Sequence, residues 1–184
     1  MYGLASRVDN DIAAKRIYEI KGRGFASPLP ILLDSEVSLA QYCPYVNSLS
    51  RKLAQEFWPG ALTIVLRKNE EICDSATGGL ATAGFRVPAS QVTRRICSLV
   101  GGAVTGTSAN KTGLPSAKSA QEAFSQLKDS SLDLIIDGGS TQSDTASTVI
   151  DCTDDVVTVL RLGAISVSSL REVLGNDVQF KEGI

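Results

Sequence analysis

The sequence predicts an α/β fold: a twisted, mostly open sheet of mixed strand direction, flanked by helices in a single domain. Three observations carry this. Short apolar runs rich in Val, Ile and Leu alternate along the chain with amphipathic helical patterns. Hydrophobic residues make up 43% of the 184 and charged ones 21%, which supports a packed core and argues against disorder. The breaks between elements are short polar or glycine-bearing loops rather than linkers, so residues 1–175 form one unit and 176–184 a tail.

Each element has its own signal. Asp9, Asn10 and Asp11 offer capping oxygens to a helix with Ala13, Ile17 and Ile20 on one face, ending at Lys21-Gly22-Arg23. Pro28 to Leu33 reads as a short buried strand with prolines limiting its start. Asp34-Ser35 opens a short helix through Leu39 and Tyr42, and a longer one carries Val46, Leu49, Leu53 and Phe57. Trp58-Pro59-Gly60 turns the chain into a strand over 61–66, with Trp58 as packing. An exposed loop from Lys68 to Leu80 precedes a strand over 82–88 that carries Arg86. Val92, Ile96 and Leu99 form the next helical face, stopped by Gly101-Gly102 before a strand over 103–105. Ser119 to Glu122 is a capping box for a helix with Ala123, Phe124 and Leu127 inward. Strands follow over 132–136, 147–150 and 156–160, the last delivering Arg161, and a final helix over 168–174 stops at Gly175.

Composition removes several functions. The chain has no histidine, so Ser-His-Asp and Cys-His catalysis are excluded and no metal site is expected. Net charge is −2 with pI near 5.2, which supplies no global field toward nucleic acid. Cys43, Cys73, Cys97 and Cys152 show no C-x-x-C spacing and read as reduced thiols in the cytoplasm. No run reaches the roughly 18 apolar residues of a membrane span.

Three features point to an anionic ligand. Lys21 and Arg23 leave a helix end through Gly22, either complementing the helix dipole or holding phosphate or carboxylate oxygens. Arg86 lies between Phe85 and Val87, where a guanidinium needs an anionic partner, an Asp or a substrate. Gly106 to Gly113 is a loop of small, hydroxyl and amide residues at a strand's carboxyl end, read either as a simple turn or as a phosphate cradle.

These pieces together resemble the Sua5/YrdC/YciO family over nearly the whole chain, through about Leu174. Tyr2-Gly3-Leu4 is similar to the end of its Pro-Thr-Glu-Thr-Val-Tyr-Gly-Leu signature, Lys21-Gly22-Arg23 to its K-x-R and Ser108-Ala109-Asn110 to its S-x-N. Phe57 to Gly60, Phe85 to Pro88, Asp137-Gly138-Gly139, Ser147-Thr148-Val149 and Arg161 to Ile165 follow in the family's order. The resemblance implies a YrdC-like domain that condenses L-threonine, bicarbonate and ATP, carried with Mg²⁺, into threonylcarbamoyl-AMP and pyrophosphate. No tightly bound cofactor is implied. A partner transferase would then modify tRNA. It implies Lys21 and Arg23 as catalytic, and Arg23, Ser27, Thr82, Ser108, Asn110, Ser116 and Arg161 around the nucleotide. Arg86, Gly106 and Ser147 would hold threonine.

Departures from the pattern are specific. The residues before Tyr2 that the family carries are not in this sequence, so the domain is expected to be N-terminally incomplete and of the short single-domain type. Ser27 stands where the family often has Asn, Leu32 where a threonine-contacting His is common, and Thr107 and Leu162 where Pro is frequent. Two other readings accompany this one: a module binding double-stranded RNA or tRNA, and a YciO-like paralogue that keeps the nucleotide site but is impaired in catalysis.

Overall fold

The computed structural model describes residues 1–24, 27–128, 130–141 and 145–175, together with the backbone of 180–182. Seven strands form one mixed sheet in the order β5 (Ala103–Thr105), β2 (Ile31–Leu33), β4 (Thr82–Arg86), β3 (Leu62–Arg67), β7 (Thr148–Asp151), β8 (Val157–Arg161) and β9 (Phe180–Glu182). The β2–β4, β3–β7 and β8–β9 pairs are parallel and the others antiparallel. A separate ribbon pairs β1 (Gly3–Leu4) with β6 (Thr107–Ser108). The helices are α1 (Asp11–Lys21), α2 (Leu39–Tyr42), α3 (Ser48–Phe57), α4 (Asp74–Thr77), α5 (Gln91–Leu99), α6 (Ala120–Leu127) and α7 (Val167–Leu174).

The pleat gives the sheet two unlike faces. Ile31, Leu33, Leu62, Ile64, Leu66, Ala83, Phe85, Ile150, Val157 and Val159 point to one side and bury against Leu39, Leu53, Leu170 and Leu174 of α2, α3 and α7. Each Leu, Ile, Val or Phe among them contributes roughly 1.5–3 kcal/mol on burial. The register puts Leu32, Gly84, Arg86, Val65, Val149 and Arg161 on the opposite face. That face carries the cations. A smaller cluster of Leu4, Ile20, Ala109, Ala117, Ala123 and Leu127 ties α1 and α6 to the β1–β6 ribbon.

Helix ends follow the capping chemistry of the sequence. Asn10 accepts the Ala13 N–H through its side chain, and Gly22 closes α1 at φ 63°, a left-handed conformation suited to glycine. Asn47, Ser90, Ser119 and Ser166 cap α3, α5, α6 and α7 in the same way. Trp58 is buried and donates its indole N–H to the Leu62 carbonyl, as packing requires.

Several expectations change. Residues 132–136 form no ladder despite their strand-like composition; Leu134 is 73% and Ile136 47% exposed, and a strand needs a neighbouring edge, which the described residues do not provide there. The short helix begins at Leu39 rather than at Asp34, because Asp34 Oδ1 accepts the Ser35 and Ser38 hydroxyls instead of helix N–H groups. On α5, Val92 and Leu99 are exposed while Cys97 is buried, and Phe124 of α6 is half exposed. The 68–80 loop contains α4. Within the stretch read as a tail, Phe180–Glu182 pair with β8, while 176–179 and 183–184 lie outside the described residues. The four cysteines are free thiols, and among the described residues no helix is long and apolar enough to cross a membrane.

Candidate active site

Two clusters hold most of the predicted site residues, and Gly106 and Leu32 link them along the chain and the sheet register. The first is built on the end of α1. Lys21 is 4% exposed, and its ammonium donates to Ser108 O at 2.6 Å, Asn110 O at 2.9 Å and Asn110 Oδ1 at 2.9 Å. Ser108 Oγ adds a bond to Asn110 Oδ1 at 2.5 Å, and Asn110 Nδ2 reaches the Leu114 carbonyl. K-x-R and S-x-N are thus one unit, with Lys21 as the strut of the loop. Burial, and secondarily the neighbouring Arg23, draws the Lys21 ammonium down from 10.5 to about 8, so it stays largely charged at neutral pH.

Arg23 is held differently. It stacks 5.3 Å from the centre of the Tyr18 ring and reaches the Ser27 carbonyl at 3.4 Å, while its buried Nε has no partner among the described residues. An unsatisfied guanidinium N–H beside an ammonium is a ready anion donor. Ser27 is exposed and contributes its carbonyl to this corner, which also accepts the Tyr18 hydroxyl. Ser116 precedes Ala117, whose carbonyl accepts the Tyr2 N–H, and so lies beside the same ribbon.

The second cluster sits where β4 and β8 end and β3 and β7 begin. Arg86 donates through Nε to Gly60 O at 2.7 Å. Arg161 grips Ser147, with Nη2 at 2.9 Å from its carbonyl and 3.1 Å from its hydroxyl, and Ser147 Oγ lies 2.9 Å from Thr63 Oγ1. Burial and the nearby Arg161 push the Arg86 guanidinium below its usual range. No ion pair to either arginine occurs among the described residues. Two guanidinium groups side by side without a carboxylate make a receptor for an anion.

Gly106 bridges the clusters. Its N–H bonds to Pro30 O at 2.7 Å, and a Cβ on it would lie 2.4 Å from Leu32 Cδ1. Leu32 in turn pairs with Arg86. Of the residues expected around the nucleotide, Arg161 bonds Ser147 in the second cluster, and Thr82 opens β4 opposite Arg67, four residues and about 13 Å along the strand from Arg86. Thr63, Gly60 and Gly163 are partners that the sequence reading missed. Thr63 had a signal, a hydroxyl amid the apolar run from Ala61 to Leu66. Gly163, where a Cβ would meet Ala146 O at 2.4 Å, had its place in the Arg161 to Ile165 motif as a signal. The Asp137-Gly138-Gly139 loop wraps the Tyr2 hydroxyl, which lies 2.7 Å from Gly139 O and 3.0 Å from Asp137 Oδ1. No group of three His, Cys, Asp or Glu side chains gathers among the described residues. An apolar groove of about 380 Å³ lined by Met1, Leu4, Ile96, Leu127 and Ile135 holds none of the predicted site residues.

The family model for Sua5, YciO and YrdC proteins, described as "Telomere recombination", matches residues 1–163. The chain belongs to this family. Threonylcarbamoyl-AMP synthase of Pyrococcus abyssi is 35% identical over 175 residues, covering 95% of this chain and 51% of that one. The Bacillus subtilis enzyme of the same name is 33% identical, with 95% and 51% coverage. The structure of P. abyssi Sua5 complexed with L-threonine superposes with a TM-score of 0.89 at 35% identity, over 97% of this chain and 52% of that one. The chain therefore spans about half the length of these relatives. Family membership joins the motifs the geometry has already assembled: the K-x-R and S-x-N residues in one cluster, the strand arginine and the Ser147 region in the other.

Proposed function

We propose that this family member is an L-threonylcarbamoyladenylate synthase, using L-threonine, bicarbonate and Mg²⁺-bound ATP. The observation that carries it is a pair of anion receptors: Arg23, whose buried Nε has no partner among the described residues, beside Lys21, and Arg86 near Arg161. One suits a polyphosphate and the other an amino-acid carboxylate.

In this reading the threonine amine takes up bicarbonate with loss of water to give a carbamate. A carbamate oxygen then attacks the α-phosphorus, forming the new P–O bond as the bond to pyrophosphate breaks. No covalent enzyme intermediate is needed, so a chain without histidine can perform it by alignment and charge neutralisation. Arg23 contacts phosphate, with Ser27, Ser108, Asn110 and Ser116 around the nucleotide, and Lys21 positions Ser108 and Asn110. Arg86 takes the threonine carboxylate beside Gly106, and Ser147 orients Arg161 between the two substrates. Thr82 belongs to the nucleotide side, at a distance from Arg86. The product would pass to a tRNA-modifying transferase.

Pyrophosphate release measured with all three substrates, and with each omitted in turn, tests this. Release that persists without threonine or without bicarbonate contradicts the assignment.

A further inference from the structure

Thr63 carries the lone hydroxyl of β3 and is 2% exposed. Its Oγ1 lies 2.9 Å from Ser147 Oγ, and it has no other side-chain partner among the described residues. Shape fixes this contact. The ladder pairs Ile64 with Phe85 and Val65 with Gly84, so Thr63 and Val65 share the sheet face of Gly84 and Arg86. A Cβ added to Gly84 would stand 2.9 Å from Thr63 Cγ2 and 3.8 Å from Val65 Cγ2, so the Thr63 methyl fills the place of the absent side chain. A β-branched residue has few χ1 choices; with its methyl seated over Gly84, Thr63 turns its hydroxyl to Ser147.

The protons of this pair can be assigned. Arg161 Nη2 donates to Ser147 Oγ at 3.1 Å. A hydroxyl has one proton to give and two lone pairs with which to accept. If Ser147 gave its proton to Thr63, the Thr63 proton would be buried with no acceptor among the described residues, which is unfavourable for a buried donor. Thr63 therefore donates and Ser147 accepts from both Thr63 and Arg161, which leaves the Ser147 proton for a ligand.

Resting on the amino-acid role given to Arg86 and Ser147, we propose that Thr63 is a positioning residue of that site: by donating to Ser147 it turns the Ser147 proton toward the carboxylate held at Arg86. The carboxylate then gains a charge-assisted hydrogen bond from a hydroxyl whose two lone pairs are already occupied.

The test is calorimetric titration of L-threonine into the intact protein with a non-hydrolysable ATP analogue present, for wild type, Thr63→Val, Thr63→Ser, Ser147→Ala and the Thr63→Val/Ser147→Ala pair. Thr63→Val keeps the methyl over Gly84 and loses only the donor, so threonine affinity should fall about tenfold, the scale of one hydrogen bond to a charged group, with affinity for the analogue unchanged. Thr63→Ser keeps the donor and should stay within about threefold of wild type. In the Ser147→Ala background Thr63→Val should lower threonine affinity no further, a non-additivity that a merely structural role would not produce. Thr63→Ala, which removes the donor in a smaller residue, should match Thr63→Val, so the outcome does not depend on one variant folding. Full threonine affinity in Thr63→Val and Thr63→Ala, or losses that multiply in the double variant, overturn the proposal. The expected coupling without pyrophosphate release supports it and counts against the synthase reading, whereas a wild-type protein that binds no threonine contradicts both.

Discussion

Lys21 Nζ lies 2.9 Å from both the backbone oxygen and the side-chain Oδ1 of Asn110, so one ammonium holds two motifs that are 89 residues apart. With Ser108 O as its third acceptor, Lys21 shapes the loop against which Arg23 must work. Replacing it by Met leaves these acceptors unpaired in a buried place, at roughly 1–3 kcal/mol. The Lys21→Met protein should unfold at lower urea and bind ATP more weakly. Unchanged values of both contradict the strut role.

The same ammonium predicts a pH response. It titrates near 8, and losing its proton removes a donor from the loop, so ATP affinity should fall as pH rises through about 8. Lys21→Arg, charged throughout, should lack this midpoint. Stability responds with the opposite sign. The folded value lies below the unfolded 10.5, so the unfolded chain binds more protons between about 8 and 10.5, and this group makes stability rise with pH across that window. Affinity measured by nucleotide fluorescence from neutral to alkaline pH decides the first point, and urea midpoints the second.

Thr148 carries a different load. Its buried hydroxyl donates to Ile165 O at 2.6 Å and accepts the Gly163 and Ile165 N–H groups at 3.0 Å, fixing the Arg161–Ile165 turn against β7. Thr148→Val keeps the shape and strips these bonds, for a loss of about 2 kcal/mol, while Thr148→Ser keeps most of the stability. Denaturation of the two variants side by side checks this; equal stability of Val and Ser contradicts it.

Arg86→Lys tests the fork. A lysine retains charge but cannot both hold the Gly60 carbonyl and present paired donors. Threonine affinity should drop about 10- to 100-fold, equivalent to roughly 1.5–3 kcal/mol, with ATP affinity unchanged. Calorimetry showing full threonine affinity in Arg86→Lys removes Arg86 from the amino-acid site.

Much of this arrangement was legible in the sequence because its signals are local. Asn10 and Gly22 fix the ends of α1 by capping, and alternation around Phe85 and Ile64 fixes which sheet face is apolar, leaving Arg86 on the other. What was not legible depends on partners distant in the chain. Leu132 to Ile136 has strand composition, but pairing is set by an adjacent edge, not by the run itself. Thr63 and Ser147 meet only through the parallel register of β3 and β7. Lys21 read as a helix-end cation facing a ligand or solvent, since only the folded loop shows that its donors turn inward.

In the proposed synthase, nucleotide and amino acid occupy separate anion sites, Arg23 beside Lys21 and Arg86 near Arg161. Equilibrium binding of ATP and of L-threonine to Arg23→Ala and Arg86→Ala tests it most directly. The predicted result is a crossed pattern: Arg23→Ala loses ATP affinity and keeps threonine, and Arg86→Ala does the reverse. Normal ATP binding by Arg23→Ala together with normal threonine binding by Arg86→Ala would contradict it.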